Sequence, residues 1–298
     1  MSALVPARAQ TLNAYELAVS QFRAHVVQIE ASRRPVEDAA RAGLFYEIFP
    51  DTGPLRRELY VKHMAFFRAG AKHHERLALC ANQIGKTWMA AFEVTAHLTG
   101  EYPHWWEGFR FTHPITAWAA GDTMQTTRDI IQTVLLGPIE GVPTQDWSGM
   151  IPRRFIHHTT RKGGGVPYCI DQMWVQHVSG GLSTLGIKSF DQGRRAFQGT
   201  KREMIWLDEE PPPQPVDAVS GDANDIYTEC LLRTVNSGGI MMTTFTPLSG
   251  LTRFIVDYLE TSVTDGTDGE VPARELLNPP AVVAEVVEDP KRRLKATA

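Results

Sequence analysis

Gly85, Lys86 and Thr87 stand where an apolar run, RLALCA, gives way to a helical pattern, KTWMAAFEVTAHLTG. A lysine and a hydroxyl in the first turn of a helix suit one class of ligand. The N–H groups of the preceding loop, from Asn82, Gln83, Ile84 and Gly85, act with the helix dipole to attract phosphate oxygens. Lys86 then reaches the β- and γ-phosphates of ATP, and the Thr87 hydroxyl binds Mg2+. Gly85 lets the backbone come close to phosphate. The loop is nonetheless short of glycine. Where the pattern G-x-x-x-x-G-K-[ST] opens on glycine, this chain has Cys80. Taken alone, a strand-to-helix turn with a solvated lysine would look the same.

Hydrolysis at such a site needs an acid at the tip of a second strand, and MIWLDEEPPP offers one. Asp208 is placed to hold Mg2+ through its waters, and Glu209, pointing differently, to polarise the attacking water as general base. A polar strand end is the plain alternative, but the two motifs support each other. In MMTTFTPLSG, threonines interrupt a third apolar run. Thr243 fits β-propensity alone, whereas Thr246, at the strand's end, is positioned to sense a γ-phosphate. Arg194 and Arg195, shortly before the acid strand, are candidates to stabilise transition-state charge from a neighbouring subunit, or else surface arginines on a loop. The pairs His73-His74 and His157-His158 are adjacent rather than four apart, which does not suit a metal. Trp105-Trp106 suits packing better than base stacking, and Cys80 suits a small filler better than a nucleophile.

These residues need a scaffold that brings strand tips together. After helical spacing through residues 11 to 48 and a break at FPDTGP, LRRELYVKHMAFFRAG is expected as one helix with Leu59, His63, Phe66 and Phe67 near one face. Strands are expected in RLALCA, ITAWAAG, QMWVQHVS, STLGIKSF, REMIWLDEE and GGIMMTTFTP, alternating with helices in KTWMAAFEVTAHLTG and TMQTTRDIIQTVLLG. Such alternation predicts an α/β fold with a mostly parallel sheet and ligands at the strands' carboxyl ends. Past Ser262 the pattern fails and reads as a linker.

At 298 residues, 43% hydrophobic, the chain can bury a full core. Three separated cysteines make neither a disulfide framework nor a zinc pattern. With no signal peptide or long apolar run in view, a soluble cytoplasmic protein without membrane contact is expected. The net charge is −4. Against it, nine basic residues between Met150 and Ile205 (Arg153, Arg154, Arg161, Lys162, Lys188, Arg194, Arg195, Lys201, Arg202) face only Asp171, Asp191 and Glu203. Either a polyanion-facing surface or a solvated face paired with acids elsewhere satisfies that imbalance.

Seven blocks, LYVKHMAFFRAG, CANQIGKT, HLTGEYPHWWEGFRF, AAGDTMQTTRDI, FQGTKREMIWLDEEPP, DIYTECLLRT and TFTPLSGLT, resemble in order and spacing the large terminase subunit of tailed double-stranded DNA bacteriophages, over most of residues 55 to 255. The resemblance implies an additional-strand P-loop ATPase. Such an engine works as a ring, usually a pentamer, at the portal protein of an empty capsid. It acts with a small terminase subunit in the cytoplasm of the infected bacterium and pumps double-stranded DNA inward. On that pattern Lys86 and Thr87 hold phosphate and Mg2+, Asp208 is the Walker B acid and Glu209 the catalytic glutamate. Thr246 belongs to the coupling motif, and Tyr60 and His63 lie in the segment that contacts adenine. The implied division is a helical segment over 1–54, a motor over 55–262 and a linker over 263–298 toward a nuclease domain.

Two departures accompany the resemblance. Many terminases carry an arginine inside the phosphate loop where this chain has Asn82, which leaves Arg194 or Arg195 to do that work. The chain also stops at Ala298, so no nuclease activity is expected of it. A helicase-like remodelling ATPase is one alternative, though it needs a second motor domain. A non-catalytic scaffold with a degraded loop is the other, and the intact Lys86, Thr87, Asp208 and Glu209 argue against it.

Overall fold

A computed structural model of the chain describes residues 43–140, 144–145, 147–212, 226–235, 237–256, 258 and 281–282. The helices expected before residue 43, and most of the stretch expected as a linker, lie outside them. The strands of the main sheet are β1 (Glu75–Leu79), β2 (Thr116–Gly121), β5 (Ile156–Arg161), β6 (Ile170–Gln176), β7 (Leu182–Ser189), β8 (Met204–Asp208), β9 (Ile240–Phe245) and β10 (Ala281–Val282). A separate antiparallel pair joins β3 (Ile139–Glu140) to β4 (Thr144–Gln145).

The eight strands lie in the order β10-β1-β9-β8-β2-β7-β6-β5. From β10 to β7 every pairing is parallel, and β6 and β5 add an antiparallel flank. The strand carrying the threonines, β9, lies between the phosphate-loop strand β1 and the acid strand β8. This is the α/β additional-strand P-loop arrangement. It brings the carboxyl ends of β1, β9 and β8 side by side.

The central strands are buried almost throughout and mostly apolar because both faces of the sheet are covered. Ala78, Met204, Trp206, Ile240 and Met242 point into one core, with helix α3 (Lys86–Thr99). Leu77, Leu79, Ile205, Leu207, Met241 and Phe245 point into the other, beneath helix α6 (Ile226–Val235). Among the described residues, two shorter helices precede α3: α1 (Leu44–Glu47) and α2 (Val61–Ala69). Helix α3 is buried from Met89 to Thr99, the polar Glu93, Thr95, His97 and Thr99 included. Its second covering is aromatic, with Phe92 stacked 4.7 Å from Phe45 and 5.7 Å from Trp105. The tryptophan pair is therefore packing.

One expectation needs correction, one helix takes an irregular form, and one strand was not foreseen. Residues 55 to 70 are not one helix: a 3-10 turn over Arg57–Leu59 stops at Tyr60, whose φ of −109° and ψ of 47° break the path, and α2 follows. Leu59 is consequently exposed, while His63, Phe66 and Phe67 are buried. The helix expected after β2 is α4 (Met124–Thr127) and α5 (Thr133–Leu136) joined by a π-helical turn over Arg128–Gln132. Strand β5, IHHTTR, gave no apolar signal because it is an edge strand in which Ile156 alone is buried.

A buried charge cluster ties α3 to β1. The Arg76 guanidinium donates to both carboxylate oxygens of Glu93 and, at 2.9 Å, to the Phe66 carbonyl. His97 meets the same carboxylate at 3.1 Å, and all three side chains are fully buried. Glu93→Ala would leave the guanidinium without its counter-charge, at an expected cost of about 3–5 kcal/mol. A shift of the urea midpoint corresponding to less than ~1 kcal/mol would contradict that role.

Candidate active site

The phosphate loop forms without its first glycine because that position needs none. Among the described residues with positive φ, Cys80 is absent, whereas Gln83 (63°) and Gly85 (84°) are present. The Cys80 N–H continues the strand ladder to the Phe245 carbonyl at 3.1 Å. Burial pushes its thiol pKa up, against the pull of Lys86, as befits a filler. Residues 81 to 85 are exposed, and Lys86 opens α3.

Parity along the strands sets the rest. Asp208, Trp206 and Thr244 share the face that α3 covers. The Thr87 hydroxyl lies 3.1 Å from Asp208 Oδ2, and Thr244 donates to Asp208 Oδ1 at 2.7 Å while accepting from the Trp206 indole at 3.0 Å. Lys86 Nζ donates to Thr246 Oγ1 at 3.0 Å, and that hydroxyl donates to Asn82 Oδ1 at 2.8 Å. The Glu209 N–H donates to the Thr244 carbonyl at 2.9 Å. Glu209 itself holds φ of 101°, a rare conformation for a side-chain-bearing residue, and this turns it out of line with Asp208. Glu210 accepts a hydrogen bond from Thr252 beyond β9.

Burial raises the Asp208 carboxyl to about 6, with Thr244, Thr87 and Lys86 pulling it down and Glu209 pushing it up. Burial likewise raises Glu209, Lys86 opposing and Asp122 assisting. A folded pKa above the unfolded value favours the protonated fold. The contribution is complete below about pH 4 and is lost as pH rises through about 6, an effect of about 3 kcal/mol. Asp208→Asn keeps the shape and removes the charge. The metal-free variant should therefore exceed the wild type in stability at about pH 7.5 by up to ~3 kcal/mol and converge on it toward about pH 3.5. A variant less stable than the wild type near neutral pH would contradict this reading of the site.

This arrangement has a counterpart in known sequences. Residues 77–282 match the family model described as terminase large subunit, T4likevirus-type, N-terminal. The chain belongs to that terminase large-subunit family. The large terminase subunit of Salmonella phage P22 is 32% identical over 241 residues, which is 75% of this chain and 44% of that protein. This terminase chain thus spans less than half the length of that relative. Among solved structures, the large terminase of bacteriophage HK97 aligns at 10% identity and a TM-score of 0.41, over 70% of this chain and 36% of that one. The ATPase domain of the Thermus phage P74-26 large terminase aligns at 19% and 0.36, over 69% and 71%. At these scores the family match carries the assignment.

Other expected positions of this terminase are now located. His63 lies against the loop, bonded to the backbone of Ile84 and Gly85, and burial pushes its pKa down. The Tyr60 ring is 5.4 Å away. The two arginines differ. Arg194 is bound at 3.0 Å by Glu229 of α6, a side chain 3% exposed. Arg195 is exposed and makes no ion pair among the described residues. Neither touches Asp208 or Glu209 within the chain. The basic window is largely spoken for: Arg154 pairs with Glu101 at 2.9 Å, Lys188 donates to the Ala196 carbonyl at 2.6 Å, and Arg202 lies 4.4 Å over Trp118.

Thr244 was read only as one of the threonines interrupting the strand, without a role, and Asp122 was not singled out. Thr244 was legible as lying two residues before Thr246, on the same strand face, and four after Ile240. Asp122 acts through its charge alone, at the tip of β2, and carries no spacing signal.

Proposed function

We propose that this chain is the ATP-hydrolysing part of a DNA-packaging motor, moving double-stranded DNA into a capsid through a portal protein, with a small terminase subunit and further copies of itself in a ring. The observation that carries the reading is Lys86 and Thr87 after β1, Thr246 after β9, and Asp208 and Glu209 at the end of β8, with Thr87 3.1 Å from Asp208 and Lys86 3.0 Å from Thr246.

The donor set fits a magnesium nucleotide. Hydroxyl and carboxylate oxygens, hard ligands that suit this ion, converge from Thr87 and Asp208. An Mg2+ ion held by Thr87 and Asp208 would supply positive charge against the negative charge building on the phosphates. The chain's own groups do the remaining work. The loop N–H groups and Lys86 orient the phosphates, Tyr60 and His63 flank the base, and Glu209 accepts a proton from water. Thr246, bonded to both Lys86 and the loop, reports the change at β9. Arg195 is the better-placed trans-acting arginine, Arg194 being held by Glu229. The division into a helical segment over 1–54, a motor over 55–262 and a tail over 263–298 stays a proposal; Phe45 and Phe49 join the motor's core, and Ala281–Val282 pairs with β1 and extends its sheet.

A triplex-displacement assay tests the motor. ATP-dependent release of a third strand from linear duplex DNA, with the duplex intact, is expected. Separation of the duplex strands would replace this reading with the helicase-like one.

A further inference from the structure

Asn82 stands where many terminases have an arginine, and the structure gives it a partner. The Thr246 hydroxyl has one proton, and Asn82 Oδ1 takes it at 2.8 Å. The hydroxyl's lone pairs are then directed elsewhere, and Lys86 Nζ donates to them at 3.0 Å. No other hydrogen-bond acceptor of Lys86 is present among the described residues. The Thr246 hydroxyl, at the tip of β9, thus bridges Asn82 of the phosphate loop to Lys86, the opening residue of α3.

We propose that Asn82 is a positioning residue: with Thr246 it latches Lys86 to β9, and a triphosphate, unlike a diphosphate, must open that latch to bind. The proposal rests on the nucleotide-site reading above and deepens it. An ammonium has three protons, so Lys86 can engage a β-phosphate and keep Thr246. A γ-phosphate competes for more. It is a charged acceptor, stronger than the neutral Asn82 carboxamide, and it competes for both Lys86 and the Thr246 proton. The cost of freeing that proton from Asn82 falls on ATP alone. Asn82 is exposed, so little packing is lost when it is shortened, and its effect runs through this one bond.

The test measures the affinities of a non-hydrolysable ATP analogue and of ADP by calorimetric titration, with magnesium, for wild type, Asn82→Ala, Thr246→Val and the double variant. In Asn82→Ala the ratio of analogue to ADP affinity should rise roughly 3- to 10-fold, the worth of one hydrogen bond. In the Thr246→Val background the same change should leave the ratio where it was, since the bond is already gone. An unchanged or lowered ratio in Asn82→Ala overturns the latch, as does an equal rise in the Thr246→Val background, which would mean that Asn82 meets the nucleotide directly. If wild type binds neither nucleotide, the nucleotide-site reading fails and the latch with it. If it binds both and the ratio ignores Asn82, the latch alone fails.

Discussion

Glu209→Gln is expected to bind ATP as the wild type does and to hydrolyse it about 10²- to 10⁴-fold more slowly, the usual worth of a general base. Three features converge on this residue. It directly follows the buried Asp208, yet its φ of 101° turns it away from that carboxylate's partners. Its N–H is held by the Thr244 carbonyl at 2.9 Å, so the unusual backbone is fastened on the far side. Burial raises its pKa, and Asp122 adds to the rise, which makes the carboxylate a better proton acceptor near neutral pH. Glutamine keeps the size and the backbone contacts and loses only the basicity. A variant with wild-type turnover would remove Glu209 from the chemistry, and one that no longer binds ATP would make it a structural residue. Single-turnover hydrolysis beside nucleotide binding separates these results.

Arg195→Ala should lose about 10³-fold or more in turnover while ATP binding persists, as expected when a trans-acting arginine is removed. Arg194→Ala should behave differently. Its guanidinium is committed at 3.0 Å to Glu229, which is 3% exposed and also paired to Arg233 at 2.6 Å. Its loss therefore falls on the anchoring of α6, and thermal unfolding should register it more than hydrolysis does. Mixing Arg195→Ala with Glu209→Gln sharpens the point. Each chain lacks what the other retains, so a shared site between two copies should regain turnover that neither has alone. Equal, near-wild-type rates in Arg194→Ala and Arg195→Ala would remove both arginines from the mechanism.

The central strands were legible because sheet burial on both faces writes a continuous apolar run, and β1, β2, β8 and β9 all carry one. Their tips were legible because Lys86, Thr87, Asp208 and Glu209 are polar residues that such runs do not otherwise need. Elements at the periphery were not. β5 is buried only at Ile156 and so has no pattern to read. The stop at Tyr60 depends on one residue's backbone angles rather than on composition. Contacts between distant residues were hidden as well. The Asn82–Thr246 bond joins positions 164 apart, and the Arg194–Glu229 pair is visible only once α6 is laid beside the 3-10 turn that carries the arginine. Sequence spacing placed both arginines equally; burial of one partner distinguishes them.

The most direct test of the account is magnesium-dependent ATP hydrolysis by the wild-type chain across a range of protein concentrations with linear duplex DNA present. Turnover per chain that rises with concentration is predicted, because on the proposed reading an arginine from another copy completes the site at Lys86, Thr87, Asp208 and Glu209. ATP that binds and remains intact at every concentration would contradict it.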